Sequence, residues 1–150
     1  MRLLLLALLA FSNSAFAVEV VTLSGKLVGA TSQRSDAISV FKGIPYAVAP
    51  IGARRWTYAE AHPGWQGKRD ATRFSPACAQ RPYPENSFFA RTSEPTSEDC
   101  LYLNIWSSMP SDSALPVMVW IHGGSLTRGA GSTAAYDLSL IHISEPTRRI

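Results

Sequence analysis

Short runs of apolar residues separated by turn signals divide the chain into candidate β-strands. Residues 18–23 are rich in Val and Thr, and residues 26–30 follow after a Ser-Gly turn, which indicates a β-hairpin. Residues 37–41 predict a third strand. Residues 101–106 alternate apolar with mixed side chains and predict another. The early strands are therefore expected to form the antiparallel edge of a mixed sheet.

An unbroken apolar run follows at Val117–Ile121. Such a run without alternation is typical of a strand buried on both faces, as in a parallel sheet. A helix is the alternative, but Pro116 before the run and two glycines after it leave too little length. The short connector from residues 101–106 predicts that these two strands are antiparallel neighbours.

The loop after this run has the sequence His122-Gly123-Gly124-Ser125. Glycines allow a loop to turn its backbone N–H groups toward a bound oxygen. Two such donors would make an oxyanion hole, which stabilises the charge that develops when an acyl group is attacked. The alternative is a tight turn that needs glycine for its shape alone.

Length and charge restrict the classes of protein to which the chain can belong. With 150 residues it is long enough for one small domain, and its hydrophobic fraction of 46% is ordinary for a globular protein. The net charge is +3, but residues 18–137 contain 11 basic and 10 acidic side chains. Because no basic patch with interleaved aromatic residues remains, nucleic-acid binding is excluded.

The N-terminus has the features of a signal peptide. Arg2 supplies a positive charge, Leu3–Phe11 form an apolar segment, and Ala15-Phe16-Ala17 fits the small-x-small cleavage pattern. The apolar segment is too short for a stable membrane span. We therefore predict cleavage after Ala17 and export to the periplasm or the medium.

The chain contains two cysteines, Cys78 and Cys100. In an exported protein an even number suggests a disulfide, and two free thiols are the alternative. Residues 74–97 contain four prolines and predict a long loop that such a bridge would close. Neither cysteine has a C-x-x-C partner or a nearby histidine, so no metal site is expected.

Three blocks of the sequence together resemble the carboxylesterase/cholinesterase family, also called type-B carboxylesterases. They are Phe41–Ala47 (FKGIPYA), Ser97–Trp106 (SEDCLYLNIW) and Val117–Gly124. Their order and spacing are similar to the family's from Val18 to Asp137, which corresponds to the first part of the family's domain. The resemblance implies an incomplete α/β-hydrolase fold, consisting of the antiparallel edge and the first central strands.

The same resemblance implies an activity, namely hydrolysis of small carboxylic esters through an acyl-enzyme, without a cofactor. It places the oxyanion donors at Gly124 and Ser125, with Gly123 shaping the turn. His122 matches a loop position and not the family's catalytic histidine. The alternative is a non-catalytic binding or adhesion protein of the same fold, which would have lost the nucleophile.

Two structural pairs are also implied by the resemblance. Cys78 and Cys100 occupy the positions of the family's first disulfide. Arg55 and Glu98 match a family ion pair, and a bidentate contact between them would fix the start of the fourth predicted strand. The alternative for this pair is that both side chains are solvated and contribute little.

The catalytic constellation itself is not contained in the 150 residues. The nucleophile motif G-x-S-x-G is absent from the sequence, and the family's acidic and histidine partners are expected beyond it. We therefore expect these 150 residues alone to be inactive. The sequence after Asp137 departs from the family pattern, and Leu138–Arg148 match the translation of a transposase sequencing-library adapter, so we interpret residues 138–150 as a read-through tail.

Overall fold

A mostly antiparallel five-stranded sheet dominates the structure, a computed structural model that describes residues 17–87, 95–108 and 114–139. Residues 1–16, which belong to the predicted signal peptide, and residues 140–150, which belong to the predicted tail, are outside the described residues. The strands are β1 (Ala17–Thr22), β2 (Gly25–Ser32), β3 (Ser35–Pro45), β4 (Lys68–Asp70), β5 (Ala77–Cys78), β6 (Thr96–Ser97) and β7 (Tyr102–Ser107). Single 3-10 turns occupy Gly52–Arg54 and Ala134–Tyr136.

The large sheet has the strand order β1-β2-β3-β7, with antiparallel neighbours throughout. The short strand β4 pairs in parallel with the first part of β2. The predicted hairpin, the third strand and the strand at residues 101–106 are therefore all present. β3 continues four residues beyond its predicted end at Phe41, because its second half pairs with β7.

A bulge at Gly43 lets β3 follow β7 over this length. The register between the two strands shifts between Phe41 and Ile44, and Gly43 adopts a left-handed φ of 64°. A Cβ at this position would lie 2.6 Å from the Ser75 hydroxyl oxygen, so the site admits only glycine. The bulge frees the N–H of Lys42 to donate to the Ala71 carbonyl at 2.7 Å.

The core is small and lies between the sheet and the segment after β4. It consists of Leu27, Phe41, Ile44 and Ala71, with Trp65 packed against its margin. Phe41 and Leu27 are each only 2% exposed. Burial of such side chains stabilises a fold by about 2 kcal/mol each, so this cluster holds β2 and β3 to the β4 segment.

A disulfide joins Cys78 to Cys100, with a Cα–Cα distance of 4.9 Å. Next to it, β5 and β6 pair in parallel and bring Ala77 beside Thr96. The long proline-containing loop is thus closed at its base by both a covalent bond and two strand residues.

The prediction of a buried central strand at Val117–Ile121 is wrong for this structure. These residues are in no strand, and their exposed fractions are 87, 61, 79, 53 and 84% in chain order. Within the described residues, β7 pairs with β3, and no segment pairs with the apolar run. A strand without a hydrogen-bonded neighbour is not stable in water, which accounts for the irregular backbone of this run.

The last described residues return to the turn between β2 and β3. The Ser139 and Ser32 hydroxyl groups share a buried hydrogen bond of 2.7 Å, and Arg34 Nε donates to Asp137 Oδ2 at 2.6 Å. Burial alone would raise the pKa of Asp137, but hydrogen bonds from Arg34 and Ser139 outweigh it and lower the pKa. These contacts fix the chain's path after the second 3-10 turn.

Within the described residues, no helix has both the length and the apolar character needed to cross a membrane.

Candidate oxyanion loop

The segment His122–Gly129, here called the glycine loop, folds back on itself directly after the exposed apolar run. Positive φ angles occur at four of its positions: Gly124 (130°), Ser125 (55°), Leu126 (57°) and Gly129 (110°). Two of these residues are not glycines, and such residues rarely adopt the left-handed region. The loop therefore has a specific, constrained backbone and is more than a flexible connection.

The carbonyl group of Gly124 is the hydrogen-bonding centre of the loop. It accepts from the N–H of Thr127 at 3.1 Å, from the N–H of Arg128 at 3.2 Å, and from the Thr127 hydroxyl at 3.2 Å. The same peptide plane carries the N–H of Ser125, because a carbonyl and the following N–H belong to one rigid unit. These three contacts therefore also orient the Ser125 N–H.

The neighbouring peptide plane, which joins Gly123 to Gly124, is held from two sides. His122 Nδ1 lies 2.9 Å from the Gly123 carbonyl oxygen. The backbone of Gly129 packs against the same carbonyl so closely that a Cβ at Gly129 would overlap it. The Gly124 N–H, on the other edge of this plane, takes its orientation from these contacts.

The two N–H groups of these planes, on Gly124 and Ser125, have no acceptor among the described residues. Gly124 is partly buried and Ser125 is exposed. Two consecutive N–H donors on fixed peptide planes can bind one negatively charged oxygen. Gly124 and Ser125 are the residues to which the family resemblance assigns the oxyanion donors.

Comparison with known proteins identifies the fold that carries this loop. The model of the carboxylesterase family matches residues 15–144. The chain belongs to the carboxylesterase family.

Two curated members illustrate how much of the family's length is covered. The chain is 43% identical to phenmedipham hydrolase of Pseudarthrobacter oxydans over 103 residues, which are 67% of the chain and 21% of that enzyme. It is 39% identical to para-nitrobenzyl esterase of Bacillus subtilis (strain 168) over 120 residues, or 79% of the chain and 23% of the esterase. The chain thus spans between a fifth and a quarter of these relatives.

A solved structure of an esterase has the same fold as the described residues. A thermophilic PNB esterase superposes with a TM-score of 0.73 at 40% identity, covering 83% of the chain and 25% of the esterase. The likeness confirms the predicted α/β-hydrolase fold, of which the described residues form the antiparallel part.

Gln80, which sequence reasoning missed, connects the disulfide region to the glycine loop. Its side-chain oxygen accepts a hydrogen bond from the Gly129 N–H. Its side-chain nitrogen donates to the Gly129 carbonyl and to the Cys78 carbonyl, each at 2.9 Å. Nearby, the Arg128 guanidinium lies 5.2 Å from the centre of the Tyr83 ring. No local motif marks Gln80, because its partner is 49 residues away in sequence.

Arg55 and Glu98, predicted as an ion pair, are in contact through two hydrogen bonds. Arg55 Nε donates to Glu98 Oε1 at 2.7 Å, and Arg55 Nη2 donates to Oε2. The hydrogen bonds from Arg55 are the main cause of a lowered pKa at Glu98. The side chains are 52% and 46% exposed, so solvent screens the attraction.

The predicted residues therefore form two groups. Cys78, Cys100, Arg55 and Glu98 secure the long loop and the start of β7. Gly123, Gly124 and Ser125 lie in the glycine loop, and Gln80 links the two groups. A separate depression of about 600 Å³, lined by Ala53, Arg54, Thr57, Tyr58 and Glu60, includes no residue of the loop.

No group of three or more His, Cys, Asp or Glu residues in the described ranges could hold a metal ion.

Proposed function

We propose that this chain supplies the oxyanion-binding part of an exported serine carboxylesterase that hydrolyses small carboxylic esters. The observation that carries the proposal is the pair of fixed peptide planes whose N–H groups, on Gly124 and Ser125, lack acceptors within the described residues. Membership of the carboxylesterase family supports it, since the named relatives include esterases.

In the proposed mechanism a serine outside these 150 residues attacks the carbonyl carbon of the ester. The electron pair of the C=O bond moves to the oxygen, and the Gly124 and Ser125 N–H groups stabilise the resulting oxyanion. A general base outside these 150 residues takes the serine proton and returns it to the departing alkoxide as the tetrahedral intermediate collapses, which releases the alcohol and leaves an acyl-enzyme. The same base then takes a proton from water, which attacks the acyl carbon. A second oxyanion forms and collapses, the acid is released, and the proton returns to the serine. No cofactor takes part.

His122 has a supporting role in this proposal and is not the general base. Its Nδ1 lies 2.9 Å from the Gly123 carbonyl oxygen. Because a carbonyl oxygen can only accept, a hydrogen bond between these atoms requires that Nδ1 carries the ring proton. A ring held in this way orients the peptide plane of the Gly124 N–H. The base and the acid of the triad, like the nucleophile, are assigned to segments outside the chain.

Export is part of the proposal. The N-terminal charge, apolar segment and cleavage pattern favour removal of residues 1–17, and a disulfide is typical of an oxidising compartment. Mass spectrometry of the secreted protein should show Val18 as its first residue. A different first residue would reject the cleavage site.

We further propose that residues 138–150 are read-through from a sequencing adapter. The support is the in-frame match of the sequence after Asp137. Sequencing the locus with a specific primer and no adapter library should show a different codon series after Asp137. Recovery of the codons for residues 138–150 from genomic DNA would reject this interpretation.

The esterase proposal is tested with the full-length gene product and p-nitrophenyl acetate. Gly124→Ala should lower kcat by about 100-fold, the effect of losing one oxyanion donor, because a Cβ at this position would overlap the Arg128 carbonyl oxygen. Ser125→Gly should retain activity, since the N–H remains and φ of 55° suits glycine.

The matched control is Gly67→Ala. Gly67 also has a positive φ, 71°, but a Cβ there would meet no atom within 4 Å. Like Gly124→Ala, the Gly67→Ala variant places an alanine at a positive φ and carries the same kind of backbone strain, but it should leave kcat unchanged. The proposal would be contradicted if the full-length wild-type protein did not hydrolyse the ester. Equal losses of kcat in the Gly124 and Gly67 variants would contradict it as well.

A further inference from the structure

We infer that Gln80 is a positioning residue for the oxyanion hole, acting through Gly129 on the peptide plane that carries the Gly124 N–H. The inference rests on the proposed esterase function and adds a residue from a distant part of the chain to the site.

The first step is the two-point contact between Gln80 and Gly129. One side-chain amide binds both the N–H and the carbonyl of the same residue, and the two atoms flank its Cα. Such a contact fixes the position of Gly129 and also the rotation of its backbone. A φ of 110° at Gly129, which non-glycine residues rarely adopt, is thereby stabilised.

The second step leads from Gly129 to the oxyanion donor. The Gly129 backbone packs directly on the Gly123 carbonyl, and a Cβ at Gly129 would lie only 2.8 Å from His122 Nδ1. The Gly123 carbonyl and the Gly124 N–H share one rigid plane. A shift of Gly129 therefore rotates or translates the Gly124 N–H away from the oxygen that it has to bind.

The Gln80 side chain is itself held in place by the disulfide segment. Its side-chain nitrogen also donates to the carbonyl of Cys78, a residue held by the disulfide and by β5. Gln80 is partly buried. The amide is thus held by a covalently closed segment, and the glycine loop takes its position from that segment.

The magnitude of the effect follows from the geometry that catalysis requires. Donors act only when they lie within hydrogen-bonding distance of the developing oxyanion, and misplacement of a reacting group by about 1 Å can lower a rate by about 100-fold. Removing Gln80 leaves both donors present but less precisely held. We expect a smaller loss, about 10-fold in kcat.

The experiment uses the full-length gene product with kcat expressed per active site titrated with a phosphonate ester. Gln80→Met, which removes both hydrogen-bonding functions, should lower kcat about 10-fold and leave KM within about 2-fold. A trifluoromethyl ketone, which forms a tetrahedral adduct with a negatively charged oxygen, should lose affinity by the same factor as kcat. The control Gln66→Met changes an exposed glutamine in the turn after Trp65 and should alter neither value.

Gln80→Glu keeps the side-chain shape and an acceptor for the Gly129 N–H, and removes the two donors. It should also lower kcat at neutral pH, and it provides the test if the Met variant does not fold. A purely structural role would reduce the number of titratable sites and leave kcat per site unchanged, which would overturn the inference. Wild-type kcat per site in both Gln80 variants would overturn it as well and leave the esterase proposal intact. A wild-type protein without hydrolysis would instead reject the esterase proposal, and this inference with it.

Discussion

The side-chain oxygen of Asn104 accepts a hydrogen bond of 2.9 Å from the N–H of Gly43. This contact joins two of the three sequence blocks that carry the family resemblance, one on β7 and the other at the bulge of β3. The bulge leaves the Gly43 N–H without a partner in the strand ladder, and Asn104 satisfies it. The asparagine thus stabilises the exact register between the two strands.

Asn104→Ala should lower the free energy of unfolding by about 1 kcal/mol, because the N–H of the buried Gly43 loses its acceptor. Urea denaturation followed by tryptophan fluorescence measures this change. Asn86→Ala is the matched control, since Asn86 is exposed in a turn of the long loop and should leave stability unchanged. Equal stability of the Asn104 variant and the wild type would contradict the role assigned to this contact.

The disulfide should stabilise the protein mainly by restricting its unfolded chain. Its cysteines are 22 residues apart, and the chain-entropy model then gives about 3 kcal/mol. A double variant, Cys78→Ser with Cys100→Ser, should therefore unfold at clearly lower urea concentration. Reducing the wild type with dithiothreitol should produce the same shift, and should have no effect on the double variant. If dithiothreitol also lowered the urea concentration at which the double variant unfolds, the shift in the wild type could not be assigned to the disulfide.

Glu98 should contribute stability that depends on pH. Its pKa is lowered, chiefly by the hydrogen bonds from Arg55, so the folded state favours the carboxylate. The contribution is present above the pKa of an unfolded glutamate and is lost as the pH falls from that value through the lower folded pKa. Carbon-13 NMR titration of the Glu98 carboxyl group measures the folded pKa directly.

In Arg55→Met the pKa of Glu98 should return toward its ordinary value, and the acid-dependent loss of stability should diminish. Arg81→Met, a change at an exposed arginine of the long loop, is the control and should leave the Glu98 pKa as it is. The same Glu98 pKa in wild type and Arg55→Met would mean that the ion pair is not formed in solution.

The exposed apolar run at Val117–Ile121 should make the 150-residue chain self-associate. Contiguous exposed apolar residues of high β-propensity are typical sites of association. Val119→Lys should shift the chain toward monomer in size-exclusion chromatography with light scattering. Leu23→Lys, at a single leucine exposed in the turn between β1 and β2, should change the distribution little. A monomeric wild-type chain at all concentrations would contradict this prediction.

Sequence patterns predicted those strands whose partner strand is close in sequence, or whose apolar and polar side chains alternate strongly. β1 and β2 flank a tight turn, and β7 alternates, so local signals sufficed for them. The run at Val117–Ile121 is apolar at every position, but apolarity does not provide a partner strand. Its burial depends on segments that do not pair with it in the described residues, and the local pattern could not reveal this.

The candidate site was predictable to a similar extent. Glycines in sequence identify a loop that can expose N–H groups, and family resemblance places the donors at Gly124 and Ser125. The contacts that hold the loop are different in kind. Gln80 contacts both the N–H and the carbonyl of Gly129 across 49 residues of sequence. Such contacts depend on the folded path of the chain, which single residue types do not encode.

In the proposed enzyme this chain provides the oxyanion hole, and a serine elsewhere provides the nucleophile. The most direct measurement is to treat the full-length gene product with a p-nitrophenyl phosphonate and to locate the adduct by peptide mass spectrometry. We expect loss of ester hydrolysis and one phosphonylated serine, in a G-x-S-x-G segment outside residues 1–150. A phosphonylated serine within this chain, such as Ser125, or full hydrolysis without any adduct would contradict it.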